Sequence, residues 1–242
     1  MKIKRFFGKI YKKLFSVKWT CNCCGKEIFS DGYFCESCEK SLPYNNGNIC
    51  NHCGRKVNNK QDYCLSCKNT YIAVDTARSV FTYAPPISDL IKKFKFNNKR
   101  YLSEILAKYL KDEYDKSGFR ADYIVFPPMT DKAKKKRGFN QTELLSKNLS
   151  EKTGVPYIDD FIKVKDTERQ VDLSRELRLK NLIGAYRIID KKVVKDKTVL
   201  IVDDVLTTGA TTEALAKLLK KAGARKVLVL TVASVPSEKA YQ

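Results

Sequence analysis

All nine cysteines of this 242-residue chain fall between Cys21 and Cys67, and residues 68–242 contain none. They also repeat. Cys21, Cys24, Cys35 and Cys38 recur as Cys50, Cys53, Cys64 and Cys67, each displaced by 29 positions, and Gly25 and Ser37 recur as Gly54 and Ser66. Each unit reads Cys-x2-Cys-x10-Cys-x2-Cys. Two residues between cysteines let a tight turn aim both sulfurs at one ion, and two such turns complete a tetrahedron of thiolates. Glycine after the second cysteine suits a turn that needs positive φ. A segment this short buries too little apolar surface to fold without a staple. The pattern therefore predicts two zinc ribbons in tandem, each a closed structural site for Zn2+. Cys23 breaks the even count and its counterpart is His52; both are read as bystanders. Clustered cysteines in a chain whose larger part has none point to metal rather than disulfides, and to the cytoplasm. No apolar run is long enough to span a bilayer, and the basic N-terminus lacks a cleavable apolar core.

From Thr76 onward, strand and helix patterns alternate. Strands are expected at 77–83, 122–126, 198–203 and 226–233, and helices at 87–95, 101–115, 139–153 and 211–222. Pro85-Pro86 end the first strand, and Gly154 and Pro156 stop the helix before them. Such alternation predicts an α/β fold, a parallel sheet covered by helices. The expected domains are a basic amphipathic helix over 1–20, a double zinc ribbon over 21–70 and the α/β domain over 71–242.

Within that domain, Val199-Leu200-Ile201-Val202 reads as a central parallel strand. Asp203-Asp204 follow at its carboxyl end, where open α/β sheets bind ligands. Then come Val205, Leu206, Thr207, Thr208, Gly209, Ala210 and Thr211, and a helix from Thr212. Glycine lets backbone amides approach an anion, threonine hydroxyls add donors, and the helix N-terminus adds partial positive charge. The loop suits a monophosphate. Two adjacent carboxylates would repel a phosphate placed on them, but they accept hydrogen bonds from vicinal hydroxyls and can hold a metal shell. A ribose 5-phosphate has both parts. A Walker B strand would need a Gly-x4-Gly-Lys-Ser/Thr partner, and a dinucleotide fold Gly-x-Gly-x-x-Gly; the chain has neither.

The formal net charge is +20, which favours polyanionic partners. Three stretches concentrate it. Residues 1–20 carry seven basic residues and no acid, on a helical pattern with Phe6, Phe7, Ile10, Tyr11, Leu14 and Phe15. That pattern over 1–19 fits contact with a membrane surface, with nucleic acid or with the protein's own core. The second stretch holds Lys92, Lys93, Lys95, Lys99 and Arg100. The third runs from Lys132 through Lys134, Lys135 and Lys136 to Arg137. Phe94, Phe96, Tyr101 and Phe139 interleave with them, so phosphate contact and base stacking on single-stranded DNA become expectations. At helical spacing Phe94 and Phe139 read better as core.

Residues 199–212 resemble the PRPP (phosphoribosyl pyrophosphate) signature of type I phosphoribosyltransferases. Arg137-Gly138-Phe139-Asn140-Gln141 with Glu143-Leu144-Leu145 is similar to the Arg-Gly-Phe-Asn-Gln segment of the ComF family. Arg169-Gln170, Leu173, Arg178, Asn181 and Gly184-Ala185-Tyr186 follow the same pattern, as does the cysteine ribbon with Leu42-Pro43 after it. The resemblance implies a type I phosphoribosyltransferase-like domain behind a double zinc ribbon, and a part in DNA uptake during natural transformation. It implies that Asp203 and Asp204 hold the ribose hydroxyls, that Thr207, Thr208, Gly209, Ala210 and Thr211 hold the 5-phosphate, and that Val202, Val205 and Leu206 also belong to the PRPP site. Pro128 and Met129 would lie in a pyrophosphate loop, Mg2+ would accompany PRPP, and a DNA-uptake helicase would be a partner at the inner face of the membrane. The family's usual Val-Pro-Val-Pro reads Val125-Phe126-Pro127-Pro128 here. A transferase would displace pyrophosphate at the anomeric carbon, with Arg137 or Lys136 neutralising the leaving group and residues 165–181 closing as a lid. Nothing marks an acceptor pocket, so a chain that only binds PRPP and DNA stands beside the transferase.

Overall fold

In the computed structural model of the protein, the described residues are 19–28, 32–57, 63–68, 72–164, 182 and 184–236. The expected lid over 165–181, with Arg169 and Arg178, lies outside them, and so does the expected helix over 1–19 except for Trp19. The chain forms two compact units, residues 1–42 and 43–242.

The smaller unit holds the first cysteine tetrad. Strand β1 (Trp19–Thr20) pairs antiparallel with β2 (Glu27–Ile28), and the turn between them carries Cys21 and Cys24. Cys35 caps helix α1 (Glu36–Lys40), which presents Cys38. The second tetrad repeats this arrangement inside the larger unit, with Cys64 preceding helix α2 (Leu65–Lys68), which carries Cys67. In each tetrad the four sulfurs lie within 4.8 Å of one another. Cys24 and Cys35 Sγ are 3.8 Å apart, and Cys53 and Cys64 Sγ 3.7 Å. A tetrahedron of Zn–S bonds of about 2.3 Å puts its sulfurs roughly 3.8 Å apart, so both sets fit structural zinc.

The second ribbon is fixed to strand β3 (Thr76–Thr82). The Ala77 amide donates to the His52 carbonyl at 2.7 Å, and Asn45 Nδ2 donates to the Gly54 carbonyl at 2.6 Å. Gly54 sits at φ +68°, and a Cβ there would stand 2.4 Å from the Ala77 oxygen. Glycine is therefore required twice, by dihedral angle and by close approach. The stretch before the ribbon covers the exposed edge of β3. The Asn45 amide donates to the Val80 carbonyl, and the Thr82 amide to the Pro43 carbonyl.

The main sheet has the order β3, β8 (Lys226–Ser234), β7 (Thr198–Leu206) and β4 (Tyr123–Val125), with every adjacent pair parallel. Between β3 and β4 run helices α3 (Ile87–Phe96) and α4 (Leu102–Lys116). After β4 come α5 (Asp131–Arg137) and α6 (Gln141–Thr153), then the antiparallel pair β5 (Phe161–Lys163) and β6 (Tyr186–Ile188). Helix α7 (Ala210–Lys221) links β7 to β8. Strand β7 is buried on both faces by its period of two. Val199 and Ile201 pack with Leu215, Ala216 and Leu219 of α7. Leu200 and Val202 are also fully buried, and α4 and α6 cover the sheet with Leu106, Leu110, Leu145 and Leu149.

Three features differ from the sequence expectation. The basic run 132–137 is itself a helix, α5, because Thr130 Oγ1 caps it by accepting from the Ala133 amide and Gly138 ends it at φ +85°. Strands β5 and β6 are too short to show periodicity. Strand β7 continues to Leu206, so Asp203 and Asp204 are strand residues still paired with Thr231 and its neighbours on β8.

Two zinc ions per chain are expected on elemental analysis. Cys35→Ser should lose one ion and leave the main unfolding transition of the larger unit in place. Cys64→Ser should lose the other and lower that transition by about 10 °C, taking a loss of about 3 kcal/mol at 2–4 °C per kcal/mol.

Candidate ribose-phosphate site

Strands β4 and β7 run parallel, with Val125 opposite Ile201, so the loop after β4 and the loop after β7 emerge at the same edge of the sheet. The second is the phosphate-binding candidate. Gly209 takes φ +81° and serves as N-cap of α7. Thr212 Oγ1 donates to the Gly209 carbonyl at 3.0 Å, which tightens the turn. The first amides of α7 have no carbonyl of their own helix to bond, and they open onto this loop. Residues Asp203, Val205, Leu206 and Thr207 through Thr212 line one small cavity of about 20 Å³.

The acid pair is not free. Lys95, from α3, places its ammonium 2.7 Å from Asp204 Oδ1, with both side chains largely shielded from water. Asp204 Oδ2 is buried without a hydrogen-bond partner. A buried carboxylate oxygen left unsatisfied is costly, and a ligand hydroxyl or hydrated cation would satisfy it. Asp203 Oδ1 accepts from the Asp204 amide at 2.8 Å. Burial and the neighbouring Asp204 charge push the Asp203 carboxyl up to about 7, against the pull of Lys95 and of that amide. Tyr186 lies beside it. Burial and the Asp203 charge raise its phenol, and a hydrogen bond with the Thr211 side chain works the other way.

The loop after β4 is held rigidly. Asn140 Nδ2 and Thr142 Oγ1 both donate to the Pro127 carbonyl at 3.1 Å, and Asn140 Oδ1 also caps α6 by accepting from the Thr142 amide. Pro128 is buried and Met129 half-buried in this loop. The Arg-Gly-Phe-Asn-Gln segment is thereby explained residue by residue. Arg137 donates to Gln141 Oε1 at 2.7 Å and stacks over the Phe96 ring at 5.4 Å. Gly138 ends one helix and Asn140 begins the next. Phe139 is buried, with its ring centroid 5.6 Å from that of Phe94.

Of the expected site residues, Asp203 and Val205 through Thr211 line one cavity, Val202 is buried in the strand, Asp204 faces Lys95, and Pro128 and Met129 follow β4 at the same sheet edge. Arg137, expected at the leaving group, donates to Gln141 and stacks over the Phe96 ring. Of the expected nucleic-acid residues, Lys92 pairs with Asp89, Lys134 with Glu143, and Lys95 with the acid pair. Lys93, Lys99, Arg100, Lys135 and Lys136 are exposed. Sequence reasoning missed Lys95 as a neighbour of Asp204, Tyr186 as a neighbour of Asp203, and the clamp on Pro127. The Gly-Ala-Tyr run was a signal for Tyr186. Nothing local distinguishes Lys95 from the lysines around it.

A parallel sheet, a strand ending in two acids and a phosphate loop behind paired cysteine tetrads define a phosphoribosyltransferase-like protein with a double zinc ribbon. Residues 128–241 match the phosphoribosyl transferase domain family, and residues 13–68 the double zinc ribbon domain. The chain is 34% identical over 154 residues to Competence protein F of Haemophilus influenzae, covering 61% of this chain and 67% of that one. It is 36% identical over 157 residues to the DNA utilization protein YhgH of Salmonella typhimurium, covering 62% and 68%. With Competence protein ComFC of Streptococcus pneumoniae it shares 31% over 150 residues, covering 62% and 64%. The chain belongs to the ComF family.

The raised Asp203 carboxyl sets a pH dependence. The folded chain keeps a proton that the unfolded chain releases near pH 4, so this group costs stability as pH rises from about 4 to about 7, and the full cost applies above. Ligand hydroxyls donate to the ionised form, so a ribose 5-phosphate ligand expels that proton. Its affinity should rise between about pH 6 and 8, with proton release seen by calorimetry in buffers of different ionisation heat. Asp203→Asn should keep only the slope due to the ligand's own phosphate, which ionises near pH 6. Identical slopes for the two proteins would contradict the assignment.

Proposed function

We propose that this protein binds PRPP, with Mg2+ carried on the pyrophosphate, and handles incoming single-stranded DNA during natural transformation, in the cytoplasm at the inner face of the membrane. The observation that carries the DNA part is the meeting of two basic clusters 40 residues apart. Arg137 stacks on Phe96, Arg100 stacks on Phe139 at 5.0 Å, and Arg100 Nη2 donates to the Gly138 carbonyl at 3.1 Å. Lys93, Lys99, Lys135 and Lys136, sequence neighbours of this contact, are exposed, and so are two aromatics, Phe96 at 71% and Tyr101 at 54% exposure. Cations that track a backbone beside rings that stack bases are the ingredients of single-strand binding. The names of the relatives, competence and DNA utilization proteins, agree with that role. Among the described residues no helix is long and apolar enough to cross a membrane.

Binding of single-stranded oligonucleotide should weaken steeply with salt, with log K falling by about 0.7 per log unit of salt for each phosphate contacted. Lys135→Ala with Lys136→Ala should flatten that slope, and Phe96→Ala should cost about 1–3 kcal/mol of stacking. Salt-independent binding, or none, would sink the DNA reading. Titration of Mg2+ and PRPP followed by calorimetry tests the other half. Asp203→Ala should abolish that heat while oligonucleotide binding persists, and no heat at millimolar PRPP would refute the ligand.

A second reading, a working transferase, is favoured by the partnerless Asp204 Oδ2 next in sequence to Asp203, which lines the cavity of the phosphate loop. It predicts pyrophosphate release from PRPP when a base or amine from a substrate panel is supplied, and loss of that release in Asp203→Ala.

A further inference from the structure

The two cysteine repeats have the same spacing but different surroundings. The residue after the knuckle glycine is Lys26 in the first and Arg55 in the second. Lys26 is exposed, whereas Arg55 is 2% exposed. Its guanidinium reaches the phosphate loop, where Nη2 donates to the Thr207 carbonyl at 2.6 Å and lies 3.7 Å from where a Cβ on Gly209 would stand. Arg55 Nε has no hydrogen-bond partner, and among the described residues no carboxylate forms an ion pair with Arg55. The cavity at this contact, about 30 Å³, is lined by His52, Cys53 and Arg55 of the ribbon, by the buried Glu213 carboxylate, which accepts from the Ala73 amide, and by Leu206, Thr208, Gly209 and Thr212. The last four also line the phosphate cradle. The loop is thus held between the cradle and the second ribbon.

The direction of that hydrogen bond matters. In a planar trans peptide the carbonyl of one residue and the amide of the next point opposite ways. Drawing the Thr207 oxygen toward Arg55 turns it away from the cradle, where it would repel a phosphate, and turns the Thr208 amide toward the cradle. The guanidinium also leaves a poorly hydrated positive charge behind the loop, and such a charge acts more strongly than one in water.

We infer that Arg55 of the second zinc ribbon is a positioning residue of the ribose 5-phosphate cradle, fixing the Thr207–Thr208 peptide and supplying buried positive charge behind it. The second ribbon is then a wall of the ligand site, a task the first ribbon's Lys26 does not share. The inference rests on the reading that this loop takes a 5-phosphate.

The test compares the full-length zinc-loaded protein with Arg55→Gln and Arg55→Lys, using PRPP, ribose 5-phosphate and inorganic pyrophosphate as probes. Arg55→Gln should weaken PRPP and ribose 5-phosphate by about tenfold or more, the scale of one charge-assisted hydrogen bond. Pyrophosphate affinity should be unchanged, and zinc should remain at two per chain. Arg55→Lys should recover part of the loss, because it keeps the charge without the fork. Equal affinity of the unaltered protein and Arg55→Gln for ribose 5-phosphate would overturn the inference and leave the PRPP reading standing. An equal loss for pyrophosphate would also overturn it. If both variants lose zinc and melt early to the same degree, Arg55 serves the ribbon's stability and the inference fails. Absence of PRPP binding by the unaltered protein would sink both readings.

Discussion

Strand β7 is hydrogen-bonded to a parallel neighbour on each side and buried on both faces, and the position of its last residues decides everything that follows. Parallel pairing aligns the carboxyl ends of β4 and β7, so two loops distant in sequence share one edge. The strand keeps its ladder through Asp203 and Asp204. Two adjacent carboxylates are therefore fixed in an environment that shields them poorly with water. Alternation sends them to opposite faces of the sheet, which is why their surroundings differ so much. Asp204 meets Lys95 on its side. Asp203 lies near Tyr186, and the burial there keeps its carboxyl close to half-protonated at neutral pH.

The ribbons show how one repeated motif can be put to two uses. The metal geometry is common to both, since the sulfur spacings agree with the same tetrahedron. What separates them is the surface on which each knuckle rests. The second knuckle approaches the β3 backbone so closely that Gly54 admits no side chain, and the neighbouring Asn45 ties its carbonyl down. Zinc held by this ribbon would stabilise more than its own ligand loops, because the knuckle also shields a sheet edge and carries Arg55 to the phosphate loop.

The elements with strong patterns were legible in the sequence. The apolar run 199–202 gave a central strand, Gly154 marked a helix end, and the 29-residue offset gave both tetrads. Phe94 and Phe139 read as core from their helical spacing and are core, whereas Phe96 and Tyr101, written in the same stretch, face solvent. The helix over 131–137 was hidden because its residues are almost all basic, and a helix without an apolar face has no periodicity to read. Only its caps, Thr130 and Gly138, announced it. The site contacts were hidden for another reason. Lys95 and Asp204 are 109 positions apart and Arg55 and Thr207 are 152 apart, so neither pair leaves a local trace. Long-range ion pairs and side-chain to carbonyl bonds are products of the topology, and no spacing rule encodes them.

Lys95 joins two features that the sequence kept separate. By position it belongs to the basic stretch 92–100, and by contact it belongs to the acid pair. The remaining cations of that stretch face water, where screening over about 10 Å limits their reach. Lys95 is shielded, so its charge acts on Asp204 with little attenuation. One helix therefore presents charge of one sign to two environments. Its exposed lysines favour a polyanion, and its half-buried Lys95 offsets a carboxylate that would otherwise repel the phosphates of any ligand entering beside it. Within the protein itself, one carboxylate of the acid pair is already balanced by a cation from another element.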